Sequence, residues 1–81
     1  MAKKNFGTMR KIIVFDSIHY VIKADKLLQK TGYKYEMITT PREVSSNCGM
    51  SIEPGEDYFK EIFDYLTSEG FNKRVVEVEH G

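Results

Sequence analysis

One pattern occurs twice in this chain and limits how the chain can fold. Leucine, three intervening residues, glycine and an aromatic residue follow one another at residues 28–33 and again at residues 66–71. Glycine at such a position is the usual left-handed stop of an α-helix. A chain of 81 residues forms one small domain. The repeat therefore favours a single domain built from two similar halves, each with one helix that ends at a glycine.

The segments that flank these helices are rich in β-branched and aromatic residues and are predicted to be strands. The predicted elements are strand 10–15, helix 18–31, strand 33–40, strand 49–53, helix 56–69 and strand 74–79. This order predicts an α+β, ferredoxin-like βαββαβ two-layer sandwich, with an antiparallel sheet in the order 4-1-3-2 and both helices on one face. We expect the domain to span residues 10–79, with a flexible tail at 1–9 and a frayed end at 80–81.

The composition excludes several classes of function. Twelve basic and twelve acidic residues give no net charge, so the chain lacks the positive surplus of a nucleic-acid binder. No apolar run reaches the ~20 residues of a membrane span, and no signal peptide is visible. With a single cysteine, we expect a cytoplasmic protein. The charge is uneven: residues 1–42 carry nine basic and three acidic residues, and residues 43–81 carry the reverse. This split would steer a charged partner or favour head-to-tail self-association, or it simply reflects two helices with opposite solvated faces.

Cys48 is the sole cysteine, and it lies in the loop predicted between the second and third strands. Ser45, Ser46 and Asn47 precede it, and Gly49 follows it. This polar run favours a loop that presents an exposed thiol. The other interpretation is a buried, small hydrophobic residue at the start of the third strand, because free cysteine is among the most buried residue types.

The predicted topology brings further polar groups to the edge of the domain that carries Cys48. The first two strands end at this edge, so Ser17 and His19 in the first turn of the first helix would lie there, as would Arg42. A helix N-terminus carries partial positive charge that favours a thiolate, the nucleophilic form of cysteine. His19 would act as a general base or would simply be solvated. The candidate hydrogen-bond donors in the loop are the hydroxyls of Ser45 and Ser46 and the N–H of Gly49.

Other chemistry at Cys48 is not indicated. One cysteine and two distant histidines do not form a metal-ligand pattern, so we expect no metal. No glycine-rich phosphate loop or other sign of a bound cofactor is present. The residue three positions before Cys48 is serine, so the second cysteine of a redox pair is missing.

Three segments carry a resemblance to a known family. They are Asp16-Ser17 before a helix with Ala-Asp-Lys-Leu-Leu at residues 24–28, Thr-Pro-Arg-Glu-Val-Ser-Ser-Asn-Cys-Gly at residues 40–49, and the closing amphipathic helix and strand. Over residues 11–78 the chain resembles a small bacterial family of selenium/sulfur carrier-like proteins. The resemblance implies that Cys48 is the carrier thiol. It also implies that the loop around this thiol is shaped by Arg42, Ser45, Ser46 and Gly49.

The expected function is therefore that of an accessory carrier and not of a turnover enzyme. Cys48 would hold sulfane sulfur or selenium, as a persulfide or selenosulfide, taken from a cysteine desulfurase-type donor and passed to an acceptor protein. The protein would be a monomer or a weak homodimer. Two alternatives stay open at this point. One is a non-catalytic module that binds a small ligand or a protein, dimerises through the free edge of the second strand and keeps Cys48 buried. The other is a redox sensor that oxidises Cys48.

Overall fold

The computed structural model describes residues 9–44 and 48–79. The elements in chain order are β1 (Met9–Phe15), α1 (Ile18–Leu28), β2 (Tyr35–Thr39), β3 (Met50–Pro54), α2 (Phe59–Ser68) and β4 (Lys73–Glu79). The four strands form one antiparallel sheet in the order β2-β3-β1-β4. The predicted βαββαβ sandwich and its strand order are confirmed. Met9, which the sequence assigns to the tail, is the first residue of β1, and the predicted tail before it and frayed end 80–81 lie outside the described residues.

Both helices are shorter than predicted, and local hydrogen bonds explain why. After α1 ends at Leu28, the hydroxyl of Thr31 donates to the Leu28 carbonyl at 2.7 Å, and Gly32 adopts a φ of 84°. Before α2, the N–H of Tyr58 donates to the carbonyl of Gly55 at 2.9 Å. This turn takes up residues 56–58, which the sequence assigns to the helix. Neither helix of the described chain is long and apolar enough to cross a membrane.

The core lies between the helices and one face of the sheet. Ile13 of β1 and Ile52 of β3 are paired across the sheet, so their side chains lie on the same face. They belong to one buried cluster together with residues of both helices, which confirms that the two helices cover the same face. The cluster consists of Ile13, Phe15, Val21, Ala24, Leu28, Cys48, Ile52, Ile62 and Leu66.

The opposite face of the sheet is also covered. Ile12 and Val14 alternate with the core residues of β1 and therefore face away from the helices, yet both are at most 1% exposed. Residues 41–44, which follow β2, lie over this face. The guanidinium of Arg74 on β4 donates to the carbonyl of Val44 at 3.0 Å, although β2 and β4 form opposite edges of the sheet. The chain that leaves β2 is thus held across the sheet by the far edge strand.

Two polar pairs stabilise this covered face. The hydroxyls of Thr40 and Ser51 are both buried and form a hydrogen bond with each other. Arg10 forms an ion pair with Glu53, in which the guanidinium Nε donates to a carboxylate oxygen at 2.6 Å. This hydrogen bond raises the pKa of Arg10. Because each buried polar group has a partner, the covered face avoids the cost of unsatisfied donors and acceptors.

Candidate functional site at the Cys48 corner

Cys48 lies at the corner of the sheet where β1 leads into α1. The strands β1 and β3 pair with Ile13 opposite Ile52. Because β1 and β3 are antiparallel, β3 begins at the end of the sheet where β1 finishes, and Cys48 comes two residues before β3. Ser17 is the N-cap of α1, and its side chain makes no capping hydrogen bond. The thiol therefore lies at the same end of the sheet as the start of α1.

The thiol is buried, so the expectation of an exposed, presented thiol is wrong. Cys48 is 1% exposed and belongs to the core cluster. Its Sγ–H donates to the carbonyl of Met50 at 2.9 Å. The reason is strand alternation, which puts Cys48 on the same face as Met50 and Ile52, toward the helices. The polar residues 45–47 that precede the thiol in sequence do not decide its exposure.

Gly49 lies at the end of the loop between β2 and β3 and is paired with Thr40. Its carbonyl accepts a hydrogen bond from the N–H of Thr40 at 3.0 Å, which extends the pairing of β2 and β3 by one residue. A Cβ added at Gly49 would meet no atom within 4 Å, and its φ lies outside the left-handed region. The backbone at this position therefore does not require glycine.

The remaining predicted site residues are less closely tied to the thiol. Arg42 and His19 are exposed, and neither side chain forms a hydrogen bond or ion pair within the described part of the chain. Ser45 and Ser46 lie outside the described residues. Among the predicted site residues, Cys48, Gly49 and Ser17 thus lie at the same end of the sheet. Within residues 9–44 and 48–79, no cluster of histidine, cysteine and acidic side chains could hold a metal ion.

Two contacts at this site are not indicated by the sequence. One is the carbonyl of Met50 that accepts the thiol hydrogen bond. The other is Arg74, which holds the carbonyl of Val44 from the opposite edge of the sheet. Both involve backbone acceptors, which every residue carries, so residue identity gives no signal for either. Strand alternation in residues 48–52 would have indicated the burial of Cys48 if the register with β1 had been known.

We expect Arg74→Ala to make Cys48 easier to reach. The lost hydrogen bond holds the segment that leads toward Cys48, and one such bond contributes about 1 kcal/mol, so the alkylation rate of Cys48 should rise about 3- to 10-fold. The measurement is the rate at which iodoacetamide labels the folded chain, monitored by mass spectrometry. Lys34→Ala removes an exposed positive charge elsewhere and is the control. An unchanged rate in Arg74→Ala would show that this contact does not limit access to the thiol.

The chain is thus a small α+β sandwich domain whose one thiol is buried in the core, at the end of the sheet where α1 begins. A family model described as "Putative Se/S carrier protein-like" matches residues 10–76, a span that includes Cys48 and all six elements except the first residue of β1 and the end of β4. The chain belongs to this family. No curated protein and no solved structure matches it.

Proposed function

We propose that the protein is a carrier of sulfane sulfur or selenium and that Cys48 is the residue that holds the cargo. The observation that supports this most directly is that the family match spans the only thiol of the chain. Carrier chemistry on a protein side chain needs a sulfur nucleophile, and a thiolate is the nucleophile that exchanges with persulfides.

The transfer step is a thiol exchange. The Cys48 thiolate attacks the outer sulfur of a persulfide on a desulfurase-type donor, and its proton goes to solvent. A bond forms between Cys48 Sγ and that outer sulfur, while the bond between the two sulfurs of the donor breaks. The donor cysteine leaves as a thiolate, and no external oxidant or reductant is consumed. Delivery repeats the same exchange, with an acceptor thiolate attacking the outer sulfur on Cys48. A selenium cargo would replace the outer sulfur atom in both steps.

The burial of Cys48 adds a condition to this proposal. A donor cannot reach a thiol that is 1% exposed, so the corner must open before either transfer. Local openings of this kind cost less free energy than global unfolding and are concentrated where few contacts hold the chain. Among the described contacts, two hydrogen bonds hold the chain on either side of Cys48. Arg74 donates to the carbonyl of Val44, and Thr40 donates to the carbonyl of Gly49. A closed resting state would also shield the bound sulfur from small thiols in solution.

The test of the proposal is loading. The full chain is incubated with a cysteine desulfurase and cysteine, and its intact mass is taken under non-reducing conditions. We expect wild type to gain the mass of one sulfur atom and Cys48→Ser to gain nothing. Met50→Ala, which keeps the thiol, serves as a variant with altered packing beside it and should still load. Wild type without the adduct, or an equal adduct on Cys48→Ser, would contradict the proposal.

The same burial favours a second candidate function. A non-catalytic binding module would keep Cys48 as an inert part of the core, which is consistent with its place in the buried cluster. Its β2 strand lies at the edge of the sheet, where the backbone is open to pairing with another chain. If wild type fails to load although Cys48 reacts in the unfolded chain, this candidate is preferred. A redox sensor stays an alternative, and it would need the same opening before Cys48 could be oxidised.

A further inference from the structure

The outer surface of α1 is basic. His19, Lys23 and Lys26 follow one another at helical spacing, opposite the buried Val21 and Ala24. Lys30 continues this row just beyond the helix. We call the row the basic stripe (His19, Lys23, Lys26 and Lys30). All four side chains are exposed, and none forms an ion pair within residues 9–44 and 48–79.

The outer surface of α2 is acidic. Glu61 and Asp64 are exposed and lie opposite the buried Ile62 and Leu66, and Asp57 is exposed in the turn that leads into α2. We call them the acidic stripe (Asp57, Glu61 and Asp64). Lys60 lies among them and neutralises one of the three, since its ammonium group contacts the Asp64 carboxylate at 2.7 Å. The stripe keeps an excess of negative charge.

The two stripes lie side by side, because both helices pack on the same face of the sheet. The outer surface of the helix layer thus has a positive half and a negative half. Beside the basic stripe, Tyr20 and Ile22 are 49% and 47% exposed, the two most exposed large hydrophobic residues in the described chain. Apolar side chains next to complementary charges are features of weak protein interfaces.

We propose that the helix layer is a self-association surface and that its occupant is a second copy of this chain. A two-fold axis parallel to the helices stacks each basic stripe on the acidic stripe of the other copy. A two-fold axis across the helices would instead stack like charges. The favoured arrangement is closed, since both copies use the same surface, and it forms a dimer and not a filament. It does not depend on the proposed carrier function and leaves the β2 edge unused.

The dimer is tested by sedimentation of the full chain at several concentrations. We expect a monomer–dimer equilibrium whose Kd is at least about tenfold weaker at about 500 mM than at about 20 mM NaCl, because salt screens exposed charges. Lys23→Glu with Lys26→Glu should abolish the dimer, and so should Asp57→Lys with Glu61→Lys. An equimolar mixture of the two double variants should restore it, since each reversed stripe then faces a complementary one.

The controls separate this surface from other modes of association. Lys34→Glu with Arg42→Glu changes the net charge as much as the first double variant but lies off the helix layer, so it should dimerise like wild type. Circular dichroism checks that every variant is folded. A wild type that is monomeric at all concentrations would overturn the proposal. So would a dimer that persists in both charge-reversed variants, which would indicate pairing through the β2 edge, or growth beyond a dimer.

Discussion

Cys48 in the folded protein is expected to react with iodoacetamide at least about 100-fold more slowly than in the unfolded chain. The reason is its burial: at 1% exposure the sulfur offers no approach to a reagent, and its hydrogen points to the carbonyl of Met50. Each 1.4 kcal/mol needed to open the corner slows the reaction about tenfold, so an opening free energy of about 3 kcal/mol gives this ratio. The measurement is the labelling rate in buffer and in strong denaturant, corrected for the reaction of a free cysteine peptide.

The dependence of this rate on denaturant distinguishes two ways of exposing the thiol. Local opening exposes little surface, so at low denaturant the labelling rate should change only weakly with urea. Global unfolding exposes much more surface, so the rate would then rise steeply from the lowest urea concentration. The carrier proposal requires the weak urea dependence of local opening, because a carrier that must unfold completely to load would not survive repeated use. A rate in buffer close to that of the free peptide would contradict the burial itself.

The second large effect is expected from Ile62→Ala, which should lower the free energy of unfolding by about 2–5 kcal/mol. Ile62 is completely buried in α2 and packs in the core cluster. Native domains are stable by only about 5–15 kcal/mol, and small ones bury less surface, so much of the stability would be lost. Ile22→Ala is the matched control on α1. Because Ile22 is half-exposed, Ile22→Ala should lower the free energy of unfolding in dilute solution by no more than about 0.5 kcal/mol.

Urea unfolding followed by circular dichroism gives both values. Equal effects of Ile62→Ala and Ile22→Ala would show that the helix layer does not pack on the sheet as described. The experiment bears on function as well, because α2 and Cys48 share one core cluster. A variant destabilised at Ile62 should also label faster at Cys48, with a steep urea dependence that reports global unfolding.

The fold could be predicted from the sequence because its signals are local. Apolar residues at helical spacing in residues 59–66 indicate α2, and the glycine stops occur where predicted, with φ of 84° at Gly32 and 85° at Gly70. The sequence predicts the start of α2 three residues too early, because Glu56 and Asp57 resemble an acidic first helical turn. In the structure they belong to the turn that begins at Gly55.

The candidate site could be predicted only in outline. Topology predicts that Cys48 and Ser17 lie at the same end of the sheet, since it fixes which strand ends meet there. The burial of Cys48 depends on the register between β1 and β3, which pairs residues 39 positions apart and leaves no local pattern. The covering of the second sheet face depends on a hydrogen bond from Arg74 to a backbone carbonyl. Such long-range contacts have no signature in a single sequence.

The central claim is that Cys48 both accepts and releases sulfane sulfur, and cyanolysis of the loaded protein tests it most directly. After loading and removal of the donor, cyanide attacks the outer sulfur, forms thiocyanate and leaves the Cys48 thiolate behind. We predict one equivalent of thiocyanate per chain, with the mass returning to that of the starting protein, and none from Cys48→Ser. No thiocyanate from wild type, or the same amount from Cys48→Ser, would contradict the claim.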